Sequence, residues 1–334
     1  MTEKNTKTKK TTPEQVEEDR VLDLALRPKG WDEYIGQKKV KRNVQIMIKA
    51  AEKRGESCPD HMLFHGNSGL GKTTLAYLIA KEMNAGIRIT SGPAIKKSGE
   101  LAAILTNLSE GDVLFIDEIH RLNKVCEEMA YPVLEEFNLN LMVGNGPMAR
   151  TVDLNIPRFT LIGATTQLAL LSGPLRNRFG ATFRLKPYSK EEIEKIIRRS
   201  TEILGVKIDE ESIKDIAERS RFTPRVANRL LKRVRDFAEV EGDGTINPKI
   251  TKKTFDSLNI DEKGLESGDI NILTTIMEKF DGGPAGIKAI AAAANENKDT
   301  ILEIYEPYLV QIGFIKRTSR GRIATEKAYN HLEK

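Results

Sequence analysis

Apolar positions along the chain fall into two regimes. Val40, Val44, Met47, Ile48 and Ala51 recur at the spacing of one helix face, which predicts an amphipathic helix over residues 40–51. After the turn residues RGESCPD comes HMLFHG, a short apolar run ending in glycine, which predicts a buried strand feeding a loop. KTTLAYLIAKEM then predicts a helix. Three further runs of strand length, IRIT (87–90), VLFID (113–117) and FTLIGA (159–164), alternate with helical segments, the signature of an α/β layer with a parallel sheet. LNLMVG and ARTVDL flank Asn145-Gly146-Pro147 and predict a hairpin projecting from that layer. Beyond about Tyr188 the strand signals stop. EEIEKIIRRSTEIL, ESIKDIAERS, PRVANRLLKRVRDFAEV and ITKKTFDSL read as helices of an all-α region. The charged, glycine-containing segment DEKGLESGD marks a boundary before a last unit, with helices near 270–280 and 286–294, a further helix and a basic hairpin.

These shifts divide 334 residues into a polar tail (1–20), an α/β domain (21–187), a small helical domain (188–262) and a C-terminal domain (263–334). A make-up of 39% hydrophobic, 30% charged and 6% aromatic residues excludes disordered and membrane-spanning classes. The opening MTEKNTKTKKTTPEQVEEDR is too polar for a signal peptide and predicts a flexible tail. A net charge of +5 permits polyanion binding without implying it, so local clustering decides. The only cysteines, Cys58 and Cys126, lack metal-like spacing, which argues against a disulfide framework or zinc site and for a reducing cytoplasm.

Chemistry enters at Gly66-Asn67-Ser68-Gly69-Leu70-Gly71-Lys72-Thr73, a full match to G-x-x-x-x-G-K-[ST] between a predicted strand and a predicted helix. Glycines let backbone N–H groups turn onto phosphates, Lys72 is placed to reach the β and γ oxygens, and Thr73 can hold Mg²⁺. The acid that belongs opposite such a loop closes an apolar strand. VLFID supplies Asp117 for the metal, with Glu118 beside it as general base or water-orienting residue, although the pair could also cap the next helix. His120, alone at a helix start, reads more readily as a packing or capping residue.

DEIHRL (117–122), GATT (163–166) and PLRNRFG (174–180) resemble the AAA+ ATPases. From Leu26-Arg27-Pro28 and EYIGQ (33–37) to EPYLVQIGFIKRTSRGR (306–322), the chain is similar to the RuvB family of branch-migration motors. The resemblance implies a P-loop AAA+ core, an all-α lid and a C-terminal winged helix, and an ATP- and Mg²⁺-dependent homo-hexameric ring acting on Holliday junctions with RuvA and RuvC. It makes Thr166 the sensor of the γ-phosphate, Arg178 rather than Arg176 the arginine finger, and Arg225 the second sensor. Arg225 sits among Arg219, Arg221, Arg229, Lys232, Arg233 and Arg235, so composition alone would make it part of a solvated basic face. It puts Leu26, Arg27, Tyr34, Ile35 and Tyr188 around base and ribose, and Gly66, Gly69, Gly71, Lys72, Thr73 and Thr74 around the phosphates. Glu135, Glu136 and Phe137 fall near the nucleotide boundary shared by two subunits. The hairpin between Leu139 and Leu154 is the implied RuvA-docking element, with Leu141 and Val143 or Val152 as exposed anchors. DGGPAG (281–286) would open a helix of the winged unit and TSRGR (318–322) its wing, where Arg317, Arg320 and Arg322 form a basic cluster around a glycine turn that suits DNA phosphates.

The chain departs from the family pattern at Asn67-Ser68, where two prolines are usual, and in GATTQLALLS, where arginine and glycine usually follow GATT. Neither change removes a catalytic atom, so both bear on turnover rate. Two other readings share these motifs: a clamp-loader-like AAA+ ATPase, and a DNA-binding assembly that hydrolyses ATP weakly. The winged ending counts against the first, and the intact Lys72, Asp117, Glu118 and Arg178 against the second.

Overall fold

The computed structural model describes residues 24–143 and 150–332. The predicted tail and the hairpin tip at Asn145-Gly146-Pro147 lie outside the described residues. The chain divides into two compact units. The first runs through Gly66 and includes Gly71–Leu185 and Glu202–Leu204; the second comprises Asn67–Leu70, Lys186–Thr201 and Gly205 onward.

In the first unit, β1 (Met62–His65), β2 (Ile87–Ser91), β3 (Val113–Asp117), β6 (Thr160–Thr165) and β7 (Ala181–Arg184) form one parallel sheet in the order β2-β3-β6-β1-β7. Met62, Leu63, Phe64, Val113, Phe115 and Ile162 are fully buried. A parallel strand covered on both faces must read as an unbroken apolar run, which is why these segments were legible as strands. β7 was not predicted. ATFR alternates half-buried and exposed positions at the sheet edge, where only β1 pairs with it, so it carries no apolar run. The helices α1 (Lys38–Arg54), α2 (Lys72–Glu82), α3 (Ser98–Thr106) and α4 (Lys124–Glu136) accompany the sheet. α1 buries Val40, Val44, Ile48 and Ala51, the stripe its periodicity marked.

β4 (Asn138–Val143) and β5 (Arg150–Asn155) pair antiparallel as a separate two-stranded sheet. Its base is tied down: Leu139 is fully buried, and Leu141 and Leu154 pack partly against the main core. Leu141 is therefore a packing residue as much as an exposed anchor, whereas Val152 is exposed.

His61 locks this side of the core. Its Nδ1 accepts from the Leu161 N–H (3.0 Å), which leaves Nε2 to donate to the Leu134 carbonyl (3.2 Å). Burial lowers its pKa to about 4. Because the folded pKa lies below the unfolded value, stability is whole above about pH 6.5, declines as the pH falls, and levels off below about 4. The full loss is about 3 kcal/mol at roughly 1.4 kcal/mol per unit. Urea melts at pH 7.5 and pH 5 are expected to separate by about 2 kcal/mol in the native chain and to converge in His61→Gln; an equal separation in both would assign the dependence elsewhere.

After α5 (Gly173–Asn177) in the first unit, the chain runs on through four helices, α6 (Lys190–Leu204), α7 (Glu210–Arg219), α8 (Pro224–Glu241) and α9 (Pro248–Leu258), which belong to the second unit apart from the last three residues of α6. Thr223 caps α8, its Oγ1 accepting from the Val226 N–H, and Pro224 opens the helix where its missing N–H costs nothing. α10 (Ser267–Lys279), α11 (Ile287–Ala294), α12 (Glu306–Gln311), the antiparallel pair β8 (Ile315–Thr318) and β9 (Gly321–Ala324), and α13 (Glu326–Leu332) complete the unit around Leu273, Ile276, Leu309 and Phe314. Arg221, just ahead of α8, meets the wholly buried Asp269 carboxylate of α10 (2.5 Å), donates to the Gly264 carbonyl (2.9 Å) and lies over the Tyr308 ring (5.1 Å). Burial pushes the Asp269 carboxyl up and Arg221 opposes that push, so each charge depends on the other.

Candidate active site

The loop after β1 needs backbone angles that side chains resist: φ is +148° at Gly66, +80° at Gly69 and +93° at Gly71. Gly71 ends the loop as the residue before α2, whose first helical bond runs from the Leu75 N–H to the Gly71 carbonyl (3.0 Å). The amides before Leu75 have no partner within the helix, and their dipoles converge where an anion can sit. Lys72 is buried, and its ammonium donates to the Gly66 carbonyl (2.8 Å), within the turn that a phosphate would enter. Thr73 and Thr74 follow on the first turn of α2. This donor set suits a polyphosphate.

β3 and β6 deliver the acidic and hydroxyl groups at their C-terminal ends, the edge where open α/β sheets place ligands. Asp117 closes β3, and its Oδ1 accepts from the Glu118 N–H (3.0 Å). Glu118 takes left-handed φ of +45°, and a short 3₁₀ turn over Ile119–Arg121 follows, so the pair does not cap a long helix. Gly92 makes that turn possible, since a Cβ there would come within 2.5 Å of the Glu118 carbonyl. Thr166 lies just past β6, and its hydroxyl donates to Glu118 Oε2 (3.1 Å). His120 Nδ1 lies 3.3 Å from the same oxygen and 2.8 Å from Thr165 Oγ1. Sequence reasoning missed His120 and Thr165 as part of this cluster, because nothing local marks a contact between residues 45 apart. A carboxylate beside a hydroxyl group, with a hard-oxygen pair, Thr73 and Asp117, suits water activation and a magnesium ion.

Arg178 ends α5. Its guanidinium lies over the Tyr131 ring (4.2 Å), donates to the Pro174 carbonyl (2.8 Å) and pairs with Glu135 (3.1 Å). Arg176 is exposed, Glu136 is exposed, and Phe137 packs edge-on to Phe159 (5.9 Å) as part of the core. Leu26 and Tyr34 are buried, Ile35 is half-buried, and Arg27 lies over the Tyr77 ring (4.6 Å). In the second unit Tyr188 is buried and its hydroxyl donates to the Leu70 carbonyl (3.3 Å), while exposed Arg225 donates to Ser68 Oγ (2.9 Å). Ser68, one of the two departures in the loop, is thus the group Arg225 holds.

The wing is less uniformly basic than TSRGR suggested. The nearly inaccessible Glu306 carboxylate accepts from Arg317, and from Arg322 at 3.1 and 3.2 Å. Arg320 is exposed on the turn between β8 and β9.

Family models match almost the whole chain: the Holliday junction DNA helicase RuvB P-loop domain at residues 26–185, the RuvB AAA lid domain at 188–261 and the RuvB C-terminal winged helix domain at 262–333. Holliday junction branch migration complex subunit RuvB of Dehalococcoides mccartyi is 55% identical over 95% of this chain and 90% of its own, and that of Fusobacterium nucleatum is 53% identical over 94% of each. The solved Thermotoga maritima RuvB Holliday junction branch migration motor superposes with a TM-score of 0.84 at 50% identity, covering 92% of this chain and 98% of that one.

Proposed function

Since the chain belongs to the RuvB family, we propose that it is an ATP-driven motor that moves the branch point of Holliday junctions as a homo-hexameric ring, with RuvA and RuvC as partners, in the cytoplasm. The observation that carries this reading is the gathering of the phosphate loop, Asp117, Glu118 and Thr166 at one edge of the sheet, in a chain that also bears a winged unit with an exposed basic turn.

Gly66, Gly69, Gly71, Lys72, Thr73 and Thr74 hold the phosphates of ATP, and Leu26, Arg27, Tyr34 and Ile35 meet its base and ribose. Tyr188 and Arg225 contribute further nucleotide contacts, Arg225 as second sensor. Thr73 and Asp117 hold Mg²⁺, which supplies charge neutralisation on the phosphate oxygens when bound. Glu118 accepts a proton from the attacking water as its oxygen bonds to the γ-phosphorus. The bond to the β,γ-bridging oxygen breaks, and ADP leaves with that electron pair. Thr166 reads the γ-phosphate, and Arg178 is offered to a neighbouring subunit's nucleotide, near Glu135, Glu136 and Phe137 of its own chain. The hairpin from Leu139 to Leu154 docks RuvA, with Val152 the better-exposed anchor. No helix among the described residues is long and apolar enough to cross a membrane.

The test is ATP-driven migration of a synthetic four-way junction with and without RuvA; ATP turnover without migration under both conditions would refute the motor reading. On the wing, Arg320 carries phosphate contact with less internal compensation than Arg322, whose charge Glu306 shares. Arg320→Ala is expected to weaken duplex binding and to lower the slope of log K against log salt by about 1. Fluorescence anisotropy across a salt series checks this, and an unchanged slope would remove Arg320 from the track.

A further inference from the structure

Glu118, the proposed base, takes its oriented contacts through one oxygen. Oε2 accepts from the Thr166 hydroxyl (3.1 Å) and lies 3.3 Å from His120 Nδ1. No contact among the described residues engages Oε1. The His120 side chain is only 2% exposed, yet its Nδ1 edge is turned to a carboxylate and to Thr165 Oγ1 (2.8 Å) rather than to apolar neighbours. A carboxylate has no proton to donate, so the Nδ1···Oε2 contact attracts only when Nδ1 carries hydrogen. Thr165 Oγ1 can receive the same hydrogen, since its second lone pair takes the Gln167 N–H (3.0 Å). Thr165 itself is wholly buried on β6 and cannot follow the base outward.

Thr166 has one hydroxyl proton. It can donate that proton to Glu118 or to an oxygen of the γ-phosphate, and not fully to both. If Thr166 reads the phosphate, Glu118 loses this donor at the moment its position matters. We propose that His120 is a positioning residue that, braced by Thr165, keeps the Glu118 carboxylate in place by Oε2 when Thr166 turns to the phosphate, leaving Oε1 to take the proton of the attacking water. The inference rests on Glu118 as base and Thr166 as sensor. It makes two consecutive residues of one strand end act differently: Thr166 reports the phosphate, and Thr165 anchors the base through His120.

The experiment measures ATP turnover and fluorescent-nucleotide affinity in the assembled, DNA-bound ring for the native chain, His120→Ala, His120→Asn and Thr165→Val, with His120→Ala repeated in Glu118→Gln. His120→Ala and Thr165→Val are expected to lower kcat about 10- to 100-fold, as loss of alignment does, with affinity changed less than about threefold. His120→Asn can place an N–H near the Nδ1 position and is expected to recover most of the rate. In Glu118→Gln, His120→Ala is expected to lower the residual rate no further. Equal losses in both backgrounds, a native kcat in His120→Ala, or no recovery by Asn would each overturn the proposal. If His120→Ala does not assemble, Thr165→Val and His120→Asn decide: a native kcat in the valine variant, or a loss in the asparagine variant as deep as in the valine one, overturns it. Native turnover in Glu118→Gln would instead remove the base, and this inference with it.

Discussion

Glu118→Gln is expected to lower ATP turnover by about 100- to 10,000-fold while leaving nucleotide affinity nearly unchanged. The glutamine amide matches the carboxylate in shape and can still accept the Thr166 hydroxyl, so the turn after β3 has no reason to rearrange. What it loses is the capacity to take a proton. Binding groups elsewhere, Lys72 and the amides at the start of α2, remain as they are. A loss confined to kcat is the mark of an interaction made in the transition state, whereas a proportionate rise in KM would mean that Glu118 serves binding. Rapid-quench single-turnover measurements with a separate titration of nucleotide affinity distinguish the two. Junction migration is expected to fail together with hydrolysis.

Arg178→Ala is expected to cost about 10³- to 10⁵-fold in turnover, the range of arginine fingers, and only where subunits meet. Within its own chain Arg178 is held by the Tyr131 face, the Pro174 carbonyl and Glu135, an arrangement that orients the guanidinium without burying it completely. Such bracing reduces the freedom lost when the group meets a developing phosphate charge. Mixing gives the sharper test. Arg178→Ala supplies intact phosphate loops and Glu118→Gln supplies intact fingers, so a mixed ring contains some complete sites although each variant alone has almost none. Recovery of turnover on mixing is the expected result. Full turnover by Arg178→Ala alone, in a ring verified by mass, would refute a finger acting across subunits.

The same contacts separate what was legible from what was not. The phosphate loop is contiguous, and each of its demands, glycine torsions, a lysine and a helix start, maps onto a fixed offset in the chain. Asp117 and Glu118 were legible because an apolar run ends at them. β7 was not, because an edge strand of four residues needs neither an apolar run nor a turn signal to be held by β1. The hairpin was found from its turn residues, but the inward packing of Leu141 depends on the core beneath it. The wing's arginines were visible as a cluster, yet the reach of Glu306 from α12 to two of them was not, since they lie 11 and 16 positions further along the chain.

The amino-acid sequence by itself determined most of the strands and helices and the identity of the atoms available for chemistry, because these follow from local periodicity and from residue types at short, fixed spacing; the family was legible as a resemblance carried by its motifs. Only the tertiary structure decided which groups share a proton or a charge. Thr165 and Thr166 reach the β3 turn because β3 and β6 are neighbours in the sheet, although their residues are far apart in the chain. Hydrogen bonds act over about 3 Å, a distance that sequence separation does not encode. So His120, unremarkable in the string DEIHRL, gains its meaning from a neighbouring strand.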